Sequence, residues 1–233
     1  MEIKISDLSI EVEQKAIKHM HLAVYPPDGR VHLSMPDYLS IEDARAFVWS
    51  RITWIRKQQK EVLTHERQPE RQYISGEGHY LFGKLYELIV VREEAAPRCE
   101  VSDEQITLYV RPEAELESRK QVMKEWYRQQ LKEYLTSAVA RWCSLLGVTD
   151  ASWEVRQMTS KWGSCVTRKQ HILFNLELAR VPKLCIDYVI LHELVHLQVH
   201  NHNKQFEATM SRYMPQWRER KKELNNFISL PIT

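Results

Sequence analysis

The first 110 residues are dominated by short stretches in which apolar and polar side chains alternate, a pattern typical of half-buried strands. These stretches occupy residues 3–13, 20–25, 31–35, 73–74, 79–91, 99–101 and 105–110. The turn sequence Pro26-Pro27-Asp28-Gly29 separates two of them. The spacing changes only after Ser40, where a capping-box-like start and apolar positions three and four apart indicate a helix. The pattern predicts an N-terminal, mostly antiparallel β domain, residues 1–110, with one helix near 41–60.

A polar stretch at 61–72, which contains Pro69, predicts a connection within this domain. His65 and His79 are isolated histidines, and we interpret both as surface or structural residues.

The hydrophobic period changes again at Pro112 and stays helical until Gly147. The apolar positions are Leu116, Met123, Tyr127, Leu131, Tyr134, Leu135, Ala138, Trp142 and Leu145. This stripe predicts one long helix or two abutting ones, with Pro112 near the first position. Strand patterns at 153–158 and 171–175 follow, then a helix that begins near Pro182. The order predicts a second domain, residues 111–233, and an α+β fold overall.

The last of these helices carries a polar seam on an otherwise apolar sequence, Asp187-Tyr188-Val189-Ile190-Leu191-His192-Glu193-Leu194-Val195-His196. On a helix, His192 and His196 lie one turn apart on the same face, where two imidazoles can share one metal ion. Glu193 lies beside them, within reach of a water at that ion. Because an unpaired buried polar group costs roughly 1 to 3 kcal/mol, such a seam needs a functional reason. The sequence therefore predicts a metal site.

A catalytic zinc site usually has three protein ligands, and His200 and His202 are the candidates for the third. On a straight helix, His200 would lie roughly 12 Å from His192, since each residue adds about 1.5 Å. Two nitrogens bound to one zinc are at most about 4.2 Å apart. His202 is favoured if the helix ends and the chain turns back at Asn201 or Asn203, which readily adopt the left-handed conformation.

Composition excludes several other classes. The formal net charge of +2 does not indicate a chain-wide electrostatic grip on nucleic acid, and the four cysteines form no C-x-x-C pair. Residues 1–13 are unlike a secretory signal, and no apolar run reaches the roughly 20 residues needed to span a bilayer. We therefore expect a reduced, soluble, cytoplasmic protein with no membrane partner.

Several motifs together resemble the YgjP-like family of predicted zinc metallopeptidases. They are Gly76-Glu77-Gly78 with Gly83, Trp162-Gly163-Ser164-Cys165, Asn175, the segment from Asp187 to His196, and Asn201-His202-Asn203-Lys204-Gln205-Phe206. The resemblance implies a zincin-like catalytic domain related to the SprT-like and WLM proteases, in which a histidine four residues before a phenylalanine supplies the third ligand. His202 and Phe206 match that spacing. The spacing also equals that of the metzincins, but Val199 replaces their turn glycine.

These observations predict a zinc-dependent hydrolase, with a metallopeptidase acting on proteins or peptides as the leading hypothesis. One Zn²⁺ per chain would be bound by His192, His196 and His202, with Glu193 as general base. The candidates for substrate binding are Trp162, Gly163, Ser164 and Tyr213, and those for stabilising the oxyanion are Tyr188, Arg212 and Tyr213.

Two alternatives remain open at this stage. One is a DNA-associated protease of the SprT-like type, for which a helix face with Arg119, Lys120, Lys124, Arg128 and Lys132 offers a surface. The other is a metal-stabilised binding module without turnover. The segment Trp162 to Cys165 is equally compatible with a tight, packed turn and with a strand that approaches an extended substrate peptide.

Overall fold

The computed structural model describes residues 1–25, 28–64, 71–149, 151–159 and 161–227, without the side chains of 61–64. The chain forms two compact units, Met1–Arg67 and Gln68–Thr233. The predicted turn residues Pro26 and Pro27, together with His65 and Pro69, lie outside the described residues.

The first unit is a four-stranded sheet with two helices. Its strands are β1 Glu2–Ile5, β2 Leu8–Lys15, β3 His21–Tyr25 and β4 Arg30–Pro36, in the order β1-β2-β4-β3. The two outer pairs are antiparallel and the central β2–β4 pair is parallel. The predicted single helix is two helices, α1 Ile41–Ser50 and α2 Ile52–Thr64, because α1 ends at Arg51. Ser40 and Asp43 form the predicted capping box.

The second sheet repeats the strand order and directions of the first. Its strands are β5 Gly78–Leu81, β6 Lys84–Arg92, β7 Arg98–Val101 and β8 Gln105–Val110, in the order β5-β6-β8-β7 with a parallel β6–β8 pair. The long helical stripe forms one continuous helix, α3 Leu116–Leu146. It begins four residues after Pro112 and ends at Gly147, whose φ of 65° is the left-handed conformation that favours glycine.

The second sheet belongs to the second unit, so the division falls after Arg67 and not after residue 110 as predicted. Leu88, Ile106 and Leu108 of the sheet share one buried core with Met123 and Leu131 of α3. All strand patterns before Pro112 look alike in the sequence, and only the packing of the sheet against α3 separates them.

The β5–β6 turn also fixes this sheet to the chain just before the metal-site helix. The backbone N–H groups of Phe82 and Gly83 donate hydrogen bonds to the carbonyl oxygens of Ala179 and Arg180, at 2.8 and 3.0 Å. Gly83 has a φ of +85°, and a Cβ there would lie 2.7 Å from a side-chain carbon of Pro182. The close approach therefore requires glycine at position 83.

The remaining elements form the part of the second unit that carries the polar seam. They are β9 Ser152–Arg156, β10 Gly163–Val166, β11 His171–Asn175, a 3-10 turn Leu176–Arg180, α4 Lys183–His196, α5 Lys204–Tyr213 and α6 Trp217–Asn226. The sheet order is β10-β11-β9, with β9 parallel and β10 antiparallel to β11. The predicted α+β class is confirmed. None of the helices in the described part of the chain combines the length and apolarity needed to span a bilayer.

Asp187 connects α4 to α3. Its buried carboxylate accepts hydrogen bonds from the hydroxyl of Tyr134 at 3.0 Å, from Nη2 of Arg141 at 2.9 Å and from Nε1 of Trp142 at 3.2 Å. Three donors on one helix therefore hold a carboxylate of the next, which orients the face of α4 that carries the histidines.

Candidate metal centre

Three imidazole rings converge at the end of α4. The Nε2 atoms of His192 and His196 are 3.2 Å apart, those of His196 and His202 are 3.2 Å apart, and those of His192 and His202 are 3.0 Å apart. In the described residues, these three side chains form the group whose ligand atoms are close enough to hold a metal ion. His200 lies outside the cluster, with its Nδ1 atom 3.3 Å from the carbonyl oxygen of His196.

The third histidine reaches the cluster because α4 ends at His196 and the chain turns back. The backbone N–H of Val199 still donates to the carbonyl of Val195 at 2.8 Å, after which the chain leaves the helix. Neither Asn201 nor Asn203 has a positive φ, so the predicted left-handed asparagine does not make this turn. Asn203 instead caps α5, where its side chain accepts a hydrogen bond from the N–H of Phe206 at 3.0 Å.

The donor set fits a divalent metal such as zinc. Nitrogens about 2.1 Å from a tetrahedral zinc ion are about 3.4 Å from one another, close to the three separations in this cluster. The three Nε2 atoms are close enough together for each to offer a lone pair to one shared ion. Two of the three histidines, His192 and His202, also line a pocket.

Burial favours the neutral, metal-binding form of His192 and His196, and a hydrogen bond orients the imidazole of His196. Nδ1 of His196 lies 3.2 Å from the carbonyl oxygen of Val199, so it carries the proton and leaves Nε2 bare. Burial, together with His196 and His202, lowers the pKa of His192 to about 3, and burial also lowers the pKa of His196. Neutral imidazole is the form that binds metal ions.

Phe206 supports all three histidines from one side. Its buried ring centroid lies 5.0 Å from that of His192, 4.8 Å from that of His196 and 4.7 Å from that of His202. One aromatic ring therefore limits the rotation of three imidazoles at once. This contact gives a physical reason for the spacing of a histidine four residues before a phenylalanine.

Glu193 lies against Gly163 of β10. A Cβ atom at position 163 would be 2.7 Å from Oε1 of Glu193, 2.8 Å from its Cγ atom and 2.9 Å from a side-chain carbon of Val189. Glycine is needed at position 163 because a side chain there has no space beside Glu193. Backbone conformation is not the reason, since the φ of Gly163 lies outside the left-handed region. Burial raises the pKa of Glu193 to about 7, and the charge of Lys161 partly opposes this shift.

A pocket of about 280 Å³ opens over this carboxylate. Its lining consists of Trp162, Gly163, Tyr188, Val189, His192, Glu193, His202, Lys221, Leu224 and Asn225. Of the four residues predicted to bind substrate, the structure brings Trp162 and Gly163 to this pocket. Ser164 and Tyr213 are not among the described residues that line it. Ser164 follows Gly163 on β10, and successive side chains of a strand point to opposite faces.

One of the three predicted oxyanion donors reaches the pocket. Tyr188 lies one turn before His192 on α4, with ring centroids 5.7 Å apart, and its ring stacks on Trp217 at 6.4 Å. Burial and the charge of Glu193 raise the pKa of Tyr188 to about 12, which keeps its hydroxyl protonated. The pocket lining among the described residues includes neither Arg212 nor Tyr213, and the guanidinium of Arg212 lies 5.5 Å from the ring centroid of Tyr213.

Asn175 holds the loop that leads into β10. Its buried side-chain amide donates to the carbonyl oxygens of Met158 and Lys161, at 2.9 and 2.8 Å, and its backbone N–H donates to the carbonyl of Trp162 at 2.9 Å. These bonds position the start of β10 beside the pocket. The segment Trp162 to Cys165, which the sequence left open, is a strand from Gly163 onward.

Sequence reasoning missed Lys221, Leu224 and Asn225, which come from α6. The helix is amphipathic, with Trp217 and Leu224 buried seven residues apart, but no local pattern indicates that it covers this pocket. The placement follows from packing between α6 and α4, of which the stacking of Trp217 on Tyr188 is one contact.

A helix with two histidines one turn apart, a glutamate between them and a third nearby histidine is the arrangement expected of a metallopeptidase. The chain belongs to the YgjP-like family, because the family model described as "YgjP-like, metallopeptidase domain" matches residues 18–227. The resemblance predicted from the motifs is thereby confirmed, and with it a metal-dependent peptidase domain.

Comparison with individual proteins adds less. No curated protein matches the chain. The zymogen of the Pyrococcus abyssi metallopeptidase abylysin matches 42% of this chain and 99% of its own, at 14% identity and a TM-score of 0.38. The zymogen of the metallopeptidase jannalysin from Methanocaldococcus jannaschii matches 40% of this chain and 88% of its own, at 20% identity and a TM-score of 0.37. Similarities of this size do not establish a common fold.

Proposed function

We propose that this chain is a zinc-dependent endopeptidase or exopeptidase whose single zinc ion is bound by Nε2 of His192, His196 and His202. The observation that carries the proposal is the convergence of three Nε2 atoms within 3.2 Å beside the carboxylate of Glu193. Three imidazoles suit zinc better than the oxygen-preferring magnesium or calcium. When bound, zinc supplies Lewis acidity, polarising a carbonyl oxygen and lowering the pKa of a water molecule to about 7.

The protein's own residues supply the proton transfers. Glu193 accepts a proton at its carboxylate from the water that attacks the scissile carbonyl carbon, and returns it to the leaving nitrogen as the C–N bond breaks. Gly163 leaves the space beside β10 that this carboxylate occupies. Tyr188 donates from its protonated hydroxyl to the developing oxyanion, since it alone of the three predicted donors lines the pocket.

The sheet edge favours a peptide as substrate. β10 is the outer strand of its sheet, so the edge away from β11 has backbone groups with no strand partner in the described residues. An extended peptide can add to such an edge by backbone hydrogen bonds. Gly163, at the start of this edge, also lines the pocket over Glu193, so a peptide paired with β10 would pass the reactive carboxylate.

The test is a comparison of the wild-type protein with Glu193→Gln. We expect both proteins to contain one zinc per chain by inductively coupled plasma mass spectrometry. Only the wild type should generate new peptide termini when each is incubated with a proteome-derived peptide library and analysed by mass spectrometry. Equal cleavage by both proteins would exclude Glu193 as the general base. Zinc in both proteins with no cleavage by either would favour the binding module over the peptidase.

A further inference from the structure

A second cavity lies between α3, the 3-10 turn before α4 and the loop after β9. It has a volume of about 240 Å³, and none of its lining residues is shared with the pocket over Glu193. The residues that decide its chemistry are Lys120, Lys124, Tyr127, Gln157, Glu177 and Arg180. No part of the proposed peptidase mechanism uses this cavity.

The buried guanidinium group of Arg180 defines one side. Arg180 is buried and pairs with the carboxylate of Glu177 at 2.6 Å, and the side-chain amide of Gln157 donates to the same carboxylate at 3.1 Å. Beside it, Nη1 of Arg71 donates to Nδ1 of the buried His79 at 2.9 Å. Burial and the neighbouring charge of Arg180 lower the pKa of Arg71. Of these two arginines only Arg180 lines the cavity, and the carboxylate of Glu177 opposes its charge.

Two lysines from consecutive turns of α3 form the other side. Lys120 and Lys124 are both half-buried and line the cavity. The carboxylate near Lys120 is that of Glu117, 3.6 Å away and 80% exposed, where solvent screens the pair. Lys124 forms no ion pair within the described residues. Both ammonium groups can therefore turn to a ligand in the cavity.

The charges do not balance. The cations that line the cavity are Arg180, Lys120 and Lys124, and the carboxylate that lines it is Glu177. A surplus of two positive charges remains. Like charges held together in a partly buried site are stabilised by an anion of matching charge.

The size and charge together indicate the class of ligand. A volume of about 240 Å³ is below the roughly 300 Å³ at which sites for drug-sized ligands begin, so the cavity fits a small ligand. A phosphate group carries a charge of about −1.5 to −2 at neutral pH and has several strong acceptor oxygens. Arginine forks and lysine ammonium groups both recognise such oxygens.

We propose that this cavity is a binding site for a phosphate group, borne by inorganic phosphate or by a small phosphomonoester. The lysines of α3 bind the phosphate oxygens on one side, and the guanidinium group of Arg180 faces the phosphate on the other. The proposal is independent of the metal centre and of the peptidase reaction.

The test is isothermal titration calorimetry of the zinc-loaded protein at low ionic strength, with inorganic phosphate, methyl phosphate and acetate as titrants. The variant is the double substitution Lys120→Gln and Lys124→Gln. Its matched control is Lys132→Gln, which removes an exposed lysine from the same helix. We expect the double substitution to weaken phosphate binding at least about tenfold and the control to change it less than about twofold.

The three titrants distinguish the ligands. Tighter binding of methyl phosphate identifies a phosphomonoester as the occupant, tighter binding of inorganic phosphate identifies the free ion, and either result supports the site. Absence of phosphate binding to the wild type would overturn the proposal, as would acetate binding as tight as that of phosphate. Unchanged phosphate binding in the double variant would place the anion elsewhere, such as at the zinc ion, and would also overturn it. Equal weakening of phosphate binding by Lys132→Gln would attribute the effect to the general surface charge of the protein and would likewise overturn the proposal.

Discussion

Replacement of Gly163 by alanine tests whether the position of Glu193 controls the reaction. The new Cβ atom would lie 2.7 Å from Oε1 of Glu193, whereas ordinary van der Waals contact begins at 3.4 Å. The carboxylate must therefore move by about 0.7 Å, or β10 must move away from α4. Alanine is compatible with the backbone at this position, so the steric contact is the main perturbation.

The expected magnitude follows from that displacement. A misplacement of about 1 Å costs on the order of 100-fold in rate, or about 2.7 kcal/mol in activation free energy. We expect kcat/KM for a peptide cleaved by the wild type to fall by roughly 10- to 100-fold in Gly163→Ala. Zinc content should remain at one per chain, because none of the three histidines contacts the added methyl group among the nearest atoms.

The assay combines peptide cleavage, zinc analysis and a matched control. Gly78→Ala makes the same change in β5, where the new Cβ atom would meet a flexible side-chain carbon of Leu85 at 3.0 Å. This control should keep its activity. Wild-type activity in Gly163→Ala would refute the argument that Gly163 positions Glu193. Loss of zinc from Gly163→Ala would show that the added methyl group acts on the histidine cluster instead.

Three further predictions follow from the same geometry. His202→Ala should lower the zinc content well below one per chain while His200→Ala retains it, and the reverse result would identify His200 as the third ligand. Tyr188→Phe should lower kcat by about 100-fold with little change in KM if its hydroxyl stabilises the oxyanion; an unchanged kcat would assign that role to another group. Asp187→Ala should lower the free energy of unfolding, measured by urea denaturation, by about 3 kcal/mol because it leaves buried donors of α3 without an acceptor, and a loss below about 0.5 kcal/mol would contradict this.

The histidine cluster could be predicted from the sequence, because helix geometry and the distances between nitrogens at one zinc ion determine most of it. Helical periodicity places His192 and His196 on one face, and the limit on nitrogen separation at one zinc ion favours His202 over His200. The turn itself was not predictable from conformational preference. It depends on where α4 ends and on Asn203, which caps the next helix instead of adopting the left-handed conformation.

The division of the chain was predicted less well, because alternation identifies strands but not the surface on which they pack. The two four-stranded sheets have the same order and directions, and both precede a helix. What separates them is contact over long sequence distances, such as the hydrogen bonds from Phe82 and Gly83 to Ala179 and Arg180. The same limitation applies to α6. Its residues line the pocket because the helix packs against α4, and no local sequence pattern indicates that packing.

The basic face of α3 shows a further limit of sequence patterns. Its five cations suggested a surface for an acidic partner such as DNA, but several have intramolecular roles. Arg119 donates to the carbonyl oxygen of Ala114 and Arg128 to that of Val155, both at 2.8 Å. Lys120 and Lys124 line the second cavity. Helical spacing indicates which residues share a face, but contacts with other elements decide which of them remain on the surface.

X-ray absorption at the zinc K-edge tests the central claim most directly, because it reports the atoms bound to the ion in the wild-type protein. The predicted spectrum has three imidazole nitrogens at about 2.0 to 2.1 Å, one further light-atom ligand and no sulfur. In His202→Ala the imidazole contribution should fall from three to two. A sulfur shell at about 2.3 Å, or a wild-type spectrum fitted by two or fewer imidazoles, would contradict the three-histidine site.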